Sequence, residues 1–326
     1  MMRFTIRWGS GMRVLFVTSE AYPLAKSGGL ADVSSALPMA LKRQGIDVRI
    51  LMPGYPGALT QLRNPKVEAR LPSMLGVENA AIISGQIPNS SVTAWLVDAP
   101  SLFSRNGGLY QDEGGTDWAD NALRFAFLAH AAARLATGLV PGWKPDVVHA
   151  NDWHIGLLPL LLSNEERPAT VFTIHNLAFQ GNFSPEVLPA IGVAPEFFHA
   201  DGMEFYGQAS FLKTAIRYSD KITTWSPTYA QEILEPEYGC GLDGVLRDRG
   251  GDFSGILNGI DGDFWNPATD INLAQSYSAR DISGKRLCKA ELQREFGLPV
   301  DSEAPVIGFV SRLAHQKLAD VIHDAI

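Results

Sequence analysis

Residues 13–55 read "RVLFVTSEAYPLAKSGGLADVSSALPMALKRQGIDVRILMPGY", and the change of hydrophobic period inside this stretch decides the fold. The run from Arg13 to Thr18 is short, apolar and rich in β-branched residues, the pattern of a strand covered on both faces. From Leu30 to Gln44 the apolar residues recur at helical spacing, and Gly45 stands where a C′ glycine closes a helix. "DVRILMPGY" then returns to a strand pattern. Residues 13–53 are therefore expected to form a βαβ unit with a parallel pair of strands.

Working outward, the same alternation recurs. "DVVHAND" precedes "WHIGLLPLLLS", "ATVFTIHN" follows, and "DKITTWS" precedes the helical "PTYAQEIL". The apolar "TDWADNALRFAFLAHAAARLA" supplies a helix to cover one sheet face. Such alternation predicts an α/β protein with a doubly wound, mainly parallel sheet whose ligands bind at the carboxyl ends of the strands. From Gly250 to Glu303 the chain turns rich in Gly, Asp and Asn and reads as loops between domains. "APVIGFVSRLAHQKLADVIHDAI" reads as one strand and one helix, which cannot bury both faces alone and so marks the start of a second domain. The expected organisation is an extension at 1–11, an N-terminal domain at 12–255, an interdomain segment at 256–303 and a truncated C-terminal domain at 304–326. In it "VIGFV" would be a strand without its sheet and poorly anchored. Met12, directly before the first strand, is an alternative start.

A chain of 326 residues with 46% hydrophobic residues can bury a large core, and its formal charge of −8 offers no basic footprint for nucleic acid. A phosphate-bearing ligand would have to be met by a few local cations. No apolar run approaches the roughly 20 residues of a membrane span, and the first eleven residues lack a signal-peptide core, so a cytoplasmic protein is expected. Cys240 and Cys288 show neither metal nor redox spacing and are expected as free thiols.

Three clusters could carry chemistry. In "AKSGGLAD" the lysine precedes the glycines and no G-x-G-x-x-G is present, which disfavours both a P-loop and a dinucleotide site. What remains is a strand-to-helix loop with amides left bare by Gly28 and Gly29 and Lys26 beside them. It suits a pyrophosphate, or is a plain tight turn with a solvated lysine. "HANDWH" and "TIHNLAFQG" place His149, Asn151, Asp152, His154 and His175 at two strand ends on the rim where the fold puts its site; singly, each histidine also reads as a structural residue. "DGD" at Asp261 to Asp263 has the form of a metal-holding pair but lies off the strand ends, so cations such as Arg312 and Lys317 would have to neutralise a leaving group. No nucleophile elbow or zinc-protease motif occurs.

The chain resembles the bacterial glycogen synthases and plant starch synthases, retaining glycosyltransferases of GT-B fold. The blocks that carry this, in order, are "VLFVTSEAYPLAKSGGLADV", "LMPGYP", "LYQDEGGTDWADNALRFAFLAHAA", "VVHANDWHIGLLP", "TIHNLAFQG", "MEFYGQASFLKTAIRYSDKITTWSPTYAQEI", "GCGLDGVLR", "SGILNGIDGDFWNP" and "GFVSRLAHQK". The resemblance implies transfer of glucose from ADP-glucose to the non-reducing 4-hydroxyl of an α-1,4-glucan, with retention and without a metal or other cofactor. By it, Lys26, Gly28, Gly29 and Asn258 meet the donor and Tyr110 lines the donor and acceptor cleft. Asp152 and His175 stand beside the transferred glucose, with the His175 carbonyl a candidate for supporting the ring cation, and Arg312 and Lys317 neutralise the diphosphate. Two departures stand out: Ser27 replaces the usual threonine, and Leu318 the usual glycine. Because the chain ends at Ile326, the competing reading is a catalytically inactive truncated remnant that binds glucan or a partner.

Overall fold

The computed structural model describes residues 11–163, 166–311 and 321. Along them run twelve strands: β1 (Arg13–Val17), β2 (Asp47–Pro53), β3 (Arg63–Arg70), β4 (Ala81–Gln86), β5 (Thr93–Asp98), β6 (Val147–Asn151), β7 (Ala169–Ile174), β8 (Asn182–Phe183), β9 (Glu204–Phe205), β10 (Gln208–Ser210), β11 (Lys221–Thr224) and β12 (Phe253–Gly255). Nine build one sheet in the order β12-β11-β7-β6-β1-β2-β5-β4-β3, and β8-β10-β9 form a small antiparallel sheet. The pairs β1–β2, β1–β6, β2–β5, β6–β7, β7–β11 and β11–β12 are parallel. Only the β5–β4–β3 end is antiparallel.

The βαβ unit forms as its sequence requires. β1 is central, with Leu15, Phe16 and Val17 fully buried. The helix Leu30–Arg43 ends at Gly45 (φ +84), whose N–H donates to the Lys42 carbonyl at 3.0 Å while that of Ile46 donates to Leu41 at 3.2 Å. These two bonds close the helix with an αL residue that favours glycine. The helix Asn121–Ala136 is buried on nearly every side, with Phe125, Phe127 and Leu128 fully covered. It starts five residues later than its apolar pattern suggested, because Asp120 pairs with Arg105 and Gln111 bridges Asp117 in the preceding turn.

Several expectations are corrected. "WHIGLLPLLLS" is not one helix but a 3-10 turn (Trp153–Ile155) and a single helical turn (Leu158–Leu161). Gly156 lies so close to Phe211 that a Cβ would stand 2.2 Å from the Phe211 carbonyl oxygen. Residues 63–98, on which the sequence reading placed no element, supply β3, β4 and β5. The segment read as loops contains the helix Ser283–Glu295, a charged sequence with little apolar periodicity. Val306 to Val310 takes no strand pairing, and Ile307 and Val310 are exposed (82% and 100%). A lone strand has nothing to receive its N–H and C=O groups. The compact units are 1–259 and 260–326. The helix expected after Val310 falls outside the described residues, apart from Val321.

Candidate functional site

The chain leaves β1 for β2 on one side and, after β5, returns to β6 on the other, so the sheet order reverses between β1 and β6. At such a switch point the loops that leave the two paired strands run in opposite directions and leave a crevice between them. Its walls are the loop after β1, which ends in the helix start at Leu30, and the turn after β6.

The first wall carries Lys26, Gly28 and Gly29. Thr18 Oγ1 donates to the Glu20 carbonyl or shares a proton with Ser34 Oγ, both at 2.9 Å, which ties the loop to its helix. The amides of Ser27 and Gly28 are not bare as the sequence suggested: both donate to Glu20 Oε2, the second at 3.2 Å. Glu20 is only 3% exposed, so this carboxylate folds the loop from inside. Gly29 is the N-cap and brings no side-chain cap, leaving the helix's first turn open. Lys26 Nζ lies 2.7 and 2.8 Å from the Asp32 carboxylate oxygens and 5.6 Å from the Tyr22 ring centre, with both partners of the ion pair near half exposure.

The second wall is built on Asp152. It sits at φ 62°, ψ 175°, a conformation ordinarily left to glycine, while its N–H continues the ladder to Thr173 at 2.9 Å. The carboxylate is buried and Oδ1 has no partner. Burial pushes its pKa up to about 7 against the pull of the Trp153, His175 and Asn176 N–H groups, and the Glu20 charge adds to the rise. Asn151 fastens the strand ends: Nδ2 donates to the Val17 carbonyl at 3.1 Å, and Oδ1 accepts from His175 Nε2 at 3.1 Å. That bond fixes the tautomer, and burial lowers the His175 pKa to about 4, so the ring is neutral. The His175 carbonyl accepts the Trp225 indole N–H at 3.1 Å, and the Trp225 carbonyl in turn accepts the Asn258 N–H at 3.3 Å. Asn258, itself exposed, thus reaches the same rim beyond β12.

Tyr110 comes from the loop before helix Asn121–Ala136. Its hydroxyl lies 2.8 Å from Ser19 Oγ, and its ring stacks on His154 at 4.5 Å. Burial and then Glu20 raise its pKa, with Asp152 contributing, which puts all three within electrostatic reach of one another. His154 is wedged between Tyr110 and Trp153, and burial, then Arg124, then His175 hold it neutral. His149 bonds Thr173 Oγ1 at 2.6 Å, and its pKa falls to about 3 through burial and the His175 neighbour. These two histidines pack against the rim, His154 buried and His149 partly so.

The structure thus gathers Lys26, Gly28, Gly29, Tyr110, Asp152, His175 and Asn258 around one rim, while Arg312 and Lys317 lie outside the described residues. Asp261 of "DGD" caps its own turn, accepting from the Asp263 N–H at 3.1 Å. Among the described residues no cluster of three or more His, Cys, Asp or Glu could hold a metal, no helix is long and apolar enough to cross a membrane, and both cysteines are free. A cavity of about 410 Å³ lies at the far edge of the sheet, lined among others by Pro227, Leu234, Leu246 and Phe253. None of the expected site residues borders it. Sequence reasoning missed Glu20, Ser19 and Trp225. Glu20 stands in the opening block three residues past β1, but nothing in the spacing distinguishes a buried carboxylate from a solvated one.

Residues 13–248 match the family described as starch synthase catalytic domain. Among curated proteins, the glycogen synthase of Burkholderia thailandensis is 52% identical over 311 residues, 94% of this chain and 58% of that protein. The glycogen synthase of Paramagnetospirillum magneticum is 51% identical over 317 residues, 95% and 64% of the two chains. The catalytic domain of starch synthase IV from Arabidopsis thaliana, solved bound to ADP and acarbose, superposes with a TM-score of 0.84 at 32% identity over 97% of this chain and 66% of that one. The chain spans about three fifths of the length of these relatives.

Proposed function

The chain belongs to the starch synthase catalytic domain family, and from that premise we propose that it serves as a glycogen synthase, moving glucose from ADP-glucose to the non-reducing 4-hydroxyl of an α-1,4-glucan with retention. The observation that carries this reading is the convergence, at the β1/β6 switch point, of the Lys26 loop and a buried Asp152 whose Oδ1 has no protein partner.

As the glycosidic bond to the diphosphate breaks, negative charge grows on the leaving group and positive charge on the sugar ring, so catalysis is chiefly electrostatic and positional. Lys26 supplies cationic charge at the loop, and by resemblance Arg312 and Lys317 supply the rest, so no metal is required. The open first turn at Gly29 adds N–H dipoles of the right sign. Asp152 faces the ring, orienting hydroxyls while protonated and stabilising ring charge while ionised. With the Trp225 N–H already on the His175 carbonyl, only its second lone pair is left for the sugar. Tyr110 closes the cleft, and Asn258 meets the donor. The expected setting is the cytoplasm.

The test is incorporation of labelled glucose from ADP-glucose into glycogen with EDTA present. Label entering α-1,4 linkages supports the reading. Incorporation that requires a divalent ion, or a protein that neither transfers from nor binds ADP-glucose, overturns it.

A further inference from the structure

Tyr110 sits in a segment, residues 104–120, that is mostly exposed and contains no strand or helix, yet its hydroxyl meets Ser19 at 2.8 Å and its ring meets His154. Something must hold its backbone. The Tyr110 carbonyl accepts from Asn121 Nδ2 at 2.9 Å and from the Trp118 N–H at 3.1 Å. Asn121 is itself fixed, because its Oδ1 accepts from Arg124 Nη1 at 2.7 Å, which decides which end of the amide faces Tyr110. Arg124 is 1% exposed, an unusual setting for a guanidinium. Its other bonds run to the Leu102 carbonyl at 2.9 Å and the Leu109 carbonyl at 3.1 Å, the residue next to Tyr110. The Phe103 and Phe125 rings lie 5.5 Å from the guanidinium. Its hydrogen bonds therefore end on Leu102 in the short helix just before this segment, on Leu109 within it and on the asparagine that holds Tyr110, and none of these acceptors is a carboxylate. Burying a cation is costly; an apolar side chain would fill the same space but could not grip three oxygens.

We infer that Arg124 and Asn121 are positioning residues, a bracket on the first turn of helix Asn121–Ala136 that sets Tyr110 against the cleft. This rests on the proposed function for what the cleft binds, but not for the bracket itself. Neither residue touches the ligand.

The decisive variant is Asn121→Asp, which keeps an oxygen for Arg124 and removes the donor to Tyr110, so the fold survives. Arg124→Lys and Arg124→Met accompany it. Amide exchange, read by mass spectrometry, is expected to rise about tenfold or more across residues 103–118 in Asn121→Asp and Arg124→Met. Helix Asn121–Ala136 and β1 keep their protection, and Arg124→Lys restores part of the loss. Calorimetric titration with ADP-glucose is expected to show about tenfold weaker binding in Asn121→Asp, and the double variant with Tyr110→Ala binds no more weakly than Tyr110→Ala alone. Unchanged exchange at 103–118 in Asn121→Asp, or a penalty that adds in full to that of Tyr110→Ala, overturns the inference. If the unaltered chain fails to bind ADP-glucose while exchange behaves as expected, the functional reading fails and the bracket stands.

Discussion

Replacing Asp152 by asparagine should stabilise the protein, and by an amount that depends on pH. The carboxyl is buried, Oδ1 is unpartnered, and its pKa is raised to about 7, against about 3.9 in an unfolded chain. Between those values the folded state holds a proton that the unfolded state has released, so ionisation favours unfolding and stability falls as pH rises. The linkage cost is about 1.5 kcal/mol at pH 5 and approaches about 4 kcal/mol at pH 8. Asparagine carries no charge and escapes both. His149 and His175, neutral in the fold with pKa values near 3 and 4, act the other way and lose stability as pH falls below about 6.5, but they are common to both proteins and cancel in the difference. The assay is urea unfolding of the two proteins from pH 5 to pH 8. The advantage of Asp152→Asn should grow by about 2 to 3 kcal/mol across that range. An advantage independent of pH, or one that shrinks, refutes the buried-carboxyl argument. Asp152→Gly adds a control, since relief of the strained backbone should contribute a further, pH-independent gain of about 1–3 kcal/mol.

Three further outcomes follow from the same walls. Lys26→Met breaks an exposed ion pair with Asp32, so thermal unfolding should move by less than about 1 kcal/mol, while ADP-glucose affinity measured by calorimetry falls about tenfold or more; equal losses in both would remove Lys26 from the donor site. Glu20→Ala frees the Ser27 and Gly28 amides, so trypsin should cut after Lys26 several times faster than in Glu20→Gln, which keeps an acceptor; indistinguishable cleavage rates would sink the internal-carboxylate role. Gly181→Ala places a Cβ 2.3 Å from Trp153 Cε3 at φ +58, and denaturant titration should show a loss of about 2 kcal/mol or more; a neutral result would mean the Trp153 ring shifts freely.

The parts legible in the sequence are those where one period dominates. β1, the helix Leu30–Arg43 and β2 declared themselves because a buried run gives way to a helical repeat closed by Gly45, and the alternation that follows carried the α/β class. β3 did not, since "RNPKVEAR" is an exposed edge strand with Pro65 and two register shifts, and its charges serve to protect the edge and not to fill a core. The helix Ser283–Glu295 is charged and has little apolar repeat to mark it, and in "WHIGLLPLLLS" the close contact at Gly156 overrides a helical pattern. The site shows the same division. Asp152 and His175 were visible as strand ends, but the buried Glu20 that binds the loop amides, and the Asn121 and Arg124 grip on Tyr110, depend on contacts that no local spacing records.

Where a nucleotide sugar binds is read by amide-exchange footprinting of the chain with and without ADP-glucose. Protection is expected at residues 26–31, 151–154 and 175–177, with the β3 edge at residues 63–70 unchanged. Protection confined to the cavity around Pro227 and Phe253, with the β1/β6 rim exchanging as before, would contradict it.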